Sequence, residues 1–233
     1  MNIVIPAAGK GSRFKSYDLP KTMIDVNGEP MLLKSAKSLG FEGTYIFILQ
    51  ENEYTHNLAS MLFTSFPGCK IATIDWETDG AAETALIAKD LINNDEELII
   101  ANCDQIMDWD TKEMLKKVRR FDAGLAVIRS QDKKHSYARL NGYANVEEVV
   151  EKEVISDLAL TGIHYWKKGS YFVESAEDMM KNDTRSKGEF YIGPTYTVLA
   201  KQGKKIGVHV LNKKEIHFIG TPEDLREYLY AYK

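Results

Sequence analysis

Asn2-Ile3-Val4-Ile5-Pro6-Ala7-Ala8-Gly9-Lys10-Gly11-Ser12-Arg13-Phe14 runs from a short β-branched segment into small residues and a cation, and the loop closes at Pro20-Lys21. An apolar strand that breaks into Ala7, Ala8, Gly9 and Gly11 leaves backbone N–H groups bare enough for a nucleotide to approach. Arg13 and Lys21 bring two cations to the same loop, so the segment reads as a cradle for a triphosphate. Two competing glycine motifs are excluded. A dinucleotide fingerprint needs a third glycine where Phe14 stands, and the Walker A pattern G-x-x-x-x-G-K-[ST] is absent. The bland alternative is a glycine turn with solvated charges. The order strand, glycine loop, Arg, Pro-Lys favours a phosphate site over it.

Outward from this loop, β-branched runs at 2–6, 45–50, 70–74, 98–101 and 124–128 predict core strands. Between them, apolar residues three and four apart predict helices over 30–39, 54–66, 81–92 and 111–121. Such alternation implies an α/β fold with a mostly parallel central sheet, helices on both faces and ligand loops at the carboxyl ends of the strands. After residue 130 the pattern changes to strand-like segments at 136–140, 143–150 and 158–166, with Asn141-Gly142 expected to make a hairpin turn. Helices follow at 170–181 and 191–202, then a strand at 205–211. A last helix starts at Pro222, with Thr221 as its N-cap and acids in its first turn.

The 233 residues suit one substantial core with an appended lobe, and we expect one domain with a first half at 1–130 and a second at 131–233. A formal net charge of −4 lacks the basic footprint of a nucleic-acid binder, so nucleic acid is not an expected partner. No apolar run reaches the roughly 18–20 residues that span a bilayer, and residues 1–14 are too short in their apolar part for a signal peptide. No membrane association is expected, and the protein is expected to stay in the cytoplasm. Cys69 and Cys103 lie in apolar runs without metal-site spacing, which predicts buried, unreactive thiols.

The apolar strand at 99–101 ends abruptly in Asn102-Cys103-Asp104. A carboxylate there sits where α/β ligands bind, and Mg2+ usually takes only one or two carboxylates and completes its shell with phosphate oxygens and water. The turn 78–85 opens a predicted helix, and its free N–H groups could face a nucleotide; capping by Thr78 or Asp79 is the bland alternative.

On these residues the chain resembles the sugar-phosphate nucleotidyltransferase family, whose opening pattern of small residues, G-x-G-[ST]-R and a later Pro-Lys is matched by Ala7 to Arg13 and Pro20-Lys21. Glu151-Lys152, Ser156-Asp157 and Thr161-Gly162-Ile163 resemble the family's acceptor stretch, and Gly220-Thr221-Pro222-Glu223-Asp224-Leu225 its closing segment. The resemblance implies a Rossmann-like, GT-A-like nucleotidyltransferase fold with a small β-rich acceptor-binding lobe. It further implies transfer of a nucleoside monophosphate from an NTP to a phosphorylated small molecule, expected to be a sugar phosphate, with release of pyrophosphate. Arg13 and Lys21 would then be catalytic, and Asp104 would hold Mg2+. Ala7, Ala8, Gly9, Gly11, Ser12, Gly80 and Ala81 would bind the nucleotide. Glu151, Lys152 and Thr161 would bind the acceptor. Glu189 and Tyr191, in the unusual run 188–196, could form one wall of its pocket.

One position departs from the family. Many relatives carry a second metal-binding aspartate three residues before the Thr of the Gly-Thr pair, and Phe218 stands in that slot. Either Asp104 holds the metal with phosphates and water alone, or Asp108, Glu189 or His217 contributes; a packed His217 fits magnesium's reluctance to take imidazole. Two enzyme alternatives stay open at this stage: a cytidylyltransferase acting on a non-sugar phosphate, and a glycosyltransferase of similar architecture. Asp104-Gln105-Ile106 lacks the D-x-D that such glycosyltransferases usually carry. A non-catalytic nucleotide-binding protein is the third alternative.

Overall fold

The computed structural model describes residues 1–232. Strand β1 (Asn2–Ala7) is buried along most of its length, as its β-branched run predicts. Beyond it the chain makes short 3-10 turns at Ser12–Phe14 and Lys21–Met23. The small hairpin β2 (Asp25–Val26) and β3 (Glu29–Pro30) follows. Asn27 and Gly28 both take positive φ there, as a tight two-residue turn demands. Next come α1 (Met31–Leu39), β4 (Thr44–Gln50), α2 (Thr55–Ser65) and β5 (Lys70–Ile74). Then follow α3 (Ala81–Leu86), α4 (Lys89–Ile92), β6 (Leu98–Ala101) and β7 (Gln105–Met107). α5 (Thr111–Val118), β8 (Ala123–Arg129), β9 (Tyr137–Leu140), β10 (Val146–Val150) and β11 (Leu158–Trp166) lead into the last third. That third holds α6 (Gly169–Lys181), α7 (Pro194–Lys201), β12 (Ile206–Val210), β13 (Ile216–Phe218) and α8 (Pro222–Ala231).

The main sheet has nine strands in the order β10-β9-β11-β6-β1-β4-β5, with β8 pairing β11 and β12 pairing β8. β1 runs parallel to β4 and β6, and β4 parallel to β5. β11 runs antiparallel to β6, β8 and β9, and β10 antiparallel to β9, so β10 and β11 alone oppose the common direction. The mostly parallel, doubly wound α/β fold read from the alternation is the fold observed. The antiparallel β9 and β10 extend the edge of the main sheet. Two further pairs, β2 with β3 and β13 with β7, stand outside it.

Side-chain alternation along the strands sends apolar groups to both faces. Ile3 and Ile5 join a core under α1, α2 and α5, with Leu32, Leu58 and Met114. Val4, Ile46 and Ile48 join the opposite core under α3, α6 and α7, with Ala85, Phe172 and Tyr196. Burying each such Ile, Leu or Phe contributes about 1.5–3 kcal/mol, and the two layers together order the sheet. A third, smaller cluster matters for the site. Phe14, Ile24, Val26, Met31, Ile106, Ile219 and Leu225 bind the glycine loop, the small hairpin, β7 and α8 into one unit. Among the described residues no helix is long and apolar enough to cross a membrane.

The elements differ from expectation in three places. The helix predicted over 81–92 is two pieces, because Ile87 N–H bonds Thr84 O and Ala88 N–H bonds Ala85 O in the tighter i−3 pattern that ends α3. The helix predicted over 191–202 starts at Pro194, where a proline suits the first helical position. Residues before it are held instead by Phe190 N–H to Asp79 O. The turn at Asn141-Gly142 is longer than a two-residue hairpin. Ala144 N–H bonds Asn141 O, and Ala144, not Gly142, takes the positive φ.

Candidate active site

The carboxyl end of β1, an interior strand between β6 and β4, releases the glycine loop. Ala8 is buried, while a side chain at Gly9 would meet nothing within 4 Å, so the backbone there is open to a ligand. Gly11 is at φ +60, and a Cβ on it would lie 2.7 Å from Lys21 Cβ; only glycine lets the loop close against Lys21. Phe14, 3% exposed, pins the loop into the third cluster and leaves Ser12 and Arg13 in solvent.

Lys21 Nζ lies 2.5 Å from Asp104 Oδ2, with the two side chains only 13% and 17% exposed. Burial alone would pull the Lys21 pKa down, but the Asp104 charge and hydrogen bond outweigh it, and the pKa sits above the ordinary lysine value. The Arg13 guanidinium is close enough to press the other way. Asp104 is clasped on both sides. Asn102 N–H bonds Gly162 O at 3.0 Å, and a Cβ on Gly162 would strike the Asn102 side chain. Ile219 N–H bonds Asp104 O at 3.0 Å, and a Cβ on Gly220 would come within 2.6 Å of Asp104 Oδ2. Cys103, partly buried beside this pair, has its thiol pushed up to about 11 by burial, despite the counteracting Lys21 charge. It stays protonated at neutral pH. Cys69 is buried, and burial raises its thiol as well.

The turn before α3 is stitched to the segment before α7. Gly80, at φ +136, leaves no room for a side chain, because a Cβ would meet Phe190 O at 2.5 Å and Phe190 N at 2.7 Å. Ala82 N–H donates to Phe190 O at 2.9 Å, so that amide is spent within the protein and does not face a nucleotide. Neither Thr78 nor Asp79 caps the helix. Thr78 Oγ1 meets Thr84 Oγ1 at 2.6 Å, and the Asp79 carboxylate pairs with Arg185 at 2.9 Å. Arg185 in turn lies over the Phe190 ring, 4.1 Å from its centroid.

On the other flank, Ser136 Oγ donates to the Glu151 carboxylate, whose pKa is raised by burial and by Glu189 against the pull of Ser136 and Lys152. Lys152, held at φ 55, donates to the Tyr191 hydroxyl at 2.9 Å and lies 5.0 Å above that ring. Its pKa is raised by the Tyr191 hydrogen bond. Glu151, Lys152, Glu189 and Tyr191 therefore form one cluster. Thr161 does not join it. It is 1% exposed, and its hydroxyl donates to Ala126 O at 2.8 Å, because β11 is buried along its whole length at that point. The loop 132–136 runs from this cluster, through Ser136, to β13, through His135. His135 packs against Phe218 with ring centroids 5.0 Å apart, and Phe218 faces Gln105 in the β13–β7 pairing.

Phe218, in the slot of the absent carboxylate, contributes a ring and no oxygen. His217 packs among Tyr228 and Tyr232, with Tyr232 OH 3.2 Å from its Nε2. Asp108 lies on that same side, where its charge acts on His217, and Glu189 belongs to the Glu151 cluster. Among the described residues no three His, Cys, Asp or Glu gather as a metal cage. A single, mostly buried carboxylate beside the glycine loop would fit a magnesium ion that arrives with a triphosphate and completes its shell with phosphate and water.

A cleft of about 420 Å3 opens beside the glycine loop, lined by Lys10, Gly11, Lys15, Lys21, Asn52 and Tyr54 among others. An adjoining one of about 280 Å3 reaches Ala7, Gly9 and Gln50. Lys10, which pairs with Glu77 at 2.6 Å, and the residues following β4 were not singled out from the sequence. Lys10 stands inside the glycine motif, which was the available signal. Residues 50–54 carry no motif.

Fold and site together define a nucleotide-dependent transferase of the α/β class. Residues 2–232 match the model of the nucleotidyl transferase family, and the chain belongs to that family. Among solved structures it is similar to the nucleoside-diphosphate-sugar pyrophosphorylase from Vibrio cholerae RC9, with a TM-score of 0.85 and 25% identity over 98% of this chain and 99% of that one. It also shares its fold with a UDP-glucose pyrophosphorylase complexed with UDP-glucose, with a TM-score of 0.74 and 17% identity over 99% and 97% of the two chains. No curated protein matches it.

Proposed function

We propose that the chain transfers a nucleoside monophosphate from a magnesium-bound NTP to a sugar phosphate, releasing pyrophosphate and a nucleotide-activated sugar. The observation that carries this reading is the Lys21–Asp104 pair at 2.5 Å, held against the glycine loop by residues 83 positions apart. An ammonium and a carboxylate side by side suit a metal–triphosphate, each taking one component of it. The family and the pyrophosphorylase named above support the sugar phosphate as acceptor.

In this reading an acceptor phosphate oxygen attacks the α-phosphorus in line, forming one P–O bond as the bond to the β-phosphate oxygen breaks. The acceptor phosphate is ionised at neutral pH, so no protein base is required and catalysis rests on position and charge. Arg13 and Lys21 stabilise the negative charge gathering on the departing pyrophosphate. Ala7, Ala8, Gly9, Gly11 and Ser12 approach the nucleotide through the backbone, and Gly80 and Ala81 border the base and ribose. Asp104 would hold Mg2+, which when bound supplies further charge neutralisation. Glu151 and Glu189 accept hydrogen bonds from acceptor hydroxyls, while Lys152 and Tyr191 bind its phosphate side. Residues 1–233 act as one domain, with the nucleotide on 1–130 and the acceptor on 131–233. A cytoplasmic setting and a product destined for surface glycans complete the reading.

A pyrophosphate-release screen of CTP, UTP, dTTP, GTP and ATP against a panel of phosphorylated sugars, alcohols and amines tests it. Release with a sugar phosphate and one NTP is expected. Release only with non-sugar phosphates would replace the acceptor, and nucleotide binding without release across the panel would refute the activity.

A further inference from the structure

Strand β4 is apolar until its last residue, Gln50. Gln50 pairs in register with Ile74, the last residue of β5, and follows the Leu49–Ala7 pairing with β1. It therefore stands between two strand tips. One leads into the glycine loop through Ala8 and the other leads to the Gly80 turn. Because strand side chains alternate, Gln50 shares a face with Ile46 and Ile48. Those two belong to the cluster that also contains Ala8, Ile74 and Ala82, and Gln50 itself lines the cleft of about 280 Å3 together with Ala7, Gly9 and Lys21.

The carboxamide of Gln50 is unemployed. Its Oε1 is buried and has no hydrogen-bond partner, and among the described residues no hydrogen bond engages its Nε2. The neighbouring amide is committed: Asn52 Oδ1 accepts from Tyr54 N–H at 2.9 Å, and Asn52 Nδ2 donates to Gln50 O at 3.0 Å. Gln105, whose amide atoms are also unpartnered, is wholly buried and lines neither cleft beside the glycine loop. Buried polar atoms in folded proteins are nearly always paired, and an unpaired one carries the full penalty of desolvation. At a ligand cleft the ligand supplies the missing partner.

We propose that Gln50 reads the nucleobase, its Oε1 accepting an N–H and its Nε2 donating to a ring or carbonyl acceptor on the hydrogen-bonding edge of the base. The inference rests on the proposed function above and adds the residue that chooses among NTPs. A site built to hydrogen-bond its ligand rejects a ligand that leaves its polar groups unpaired, so the carboxamide sets selectivity while the cations around Lys21 set phosphate affinity.

Titration calorimetry in the presence of Mg2+ tests this on the full-length protein, Gln50→Leu and Gln50→Glu. The probes are CTP, UTP, dTTP, GTP, ATP and inorganic tripolyphosphate. The wild type is expected to rank the nucleotides over at least about tenfold. Gln50→Leu should weaken the preferred NTP by about tenfold or more and flatten the ranking, with tripolyphosphate held within about twofold. Gln50→Glu, which can only accept, should reorder the ranking. Wild-type ranking and affinities in both variants overturn the proposal. Parallel loss of tripolyphosphate and nucleotides in both variants also overturns it, since Gln50 would then support the loop. A wild-type protein that binds neither nucleotides nor tripolyphosphate takes down the proposed function itself.

Discussion

Lys21 is the residue on which most of the proposed mechanism depends, and its raised pKa keeps it cationic at neutral pH. Lys21→Ala should lower kcat roughly 10²-fold or more while the far-UV circular dichroism stays native; near-normal turnover in the folded variant would remove Lys21 from the mechanism. Glu151 makes the opposite demand on stability. Its folded-state pKa is raised, chiefly by burial, so the unfolded chain gives up this proton at lower pH than the folded one. Stability from this group is present at acid pH and is lost as pH rises from the ordinary carboxylate range through the folded value. Glu151→Gln should therefore raise the melting temperature at pH 7, with the gain fading near pH 4, and weaken acceptor binding. Melting curves at the two pH values check the sign, and an equal gain at both would assign the effect to something other than ionisation.

At the scale of elements, the latch between the α3 entry and the segment before α7 is the feature to test. Gly80→Ala puts a methyl group against the Phe190 backbone at a φ of +136 that side chains rarely adopt. It should cost about 1–3 kcal/mol or more, since the strain and the collision act together. Gly68→Ala is the control, with φ +80 but nothing within 4 Å, so only the backbone term applies, about 1–2 kcal/mol. Urea unfolding of both should show the larger loss in Gly80→Ala, accompanied by weaker NTP binding in that variant alone. Equal losses would mean that Phe190 yields. Periodicity over 81–92 made one helix because Ala82, Ala85, Ala88 and Ile92 all fall on one face. The i−3 bonds that break it keep that face buried and so leave no trace in the pattern.

The whole molecule ties the glycine loop to distant parts of the chain. Leu225 of α8, 2% exposed, shares a cluster with Phe14 of the loop and Ile106 of β7. Deleting residues 222–233 should leave the two main layers folded, because neither core contains an α8 residue, yet cut turnover steeply as Phe14 loses its packing and Arg13 its position. Circular dichroism and pyrophosphate release on the truncated protein measure the two consequences. Wild-type turnover without α8 would show that the loop holds its shape alone.

The sequence by itself determined the strand–helix alternation, the glycine loop with Arg13 and Lys21, and an aspartate at the tip of a buried strand. These are local properties, because side-chain period, backbone freedom and turn chemistry act over a few residues. Only the tertiary structure decided that Lys21 meets Asp104, that Gly80 is glycine for the sake of Phe190, that the Thr161 hydroxyl is spent on Ala126, and that the Gln50 carboxamide is left over. Each of these depends on which strands lie side by side and in what register. A hydrogen bond or a close approach between residues far apart in the chain exists only once the sheet order has brought their strand tips together.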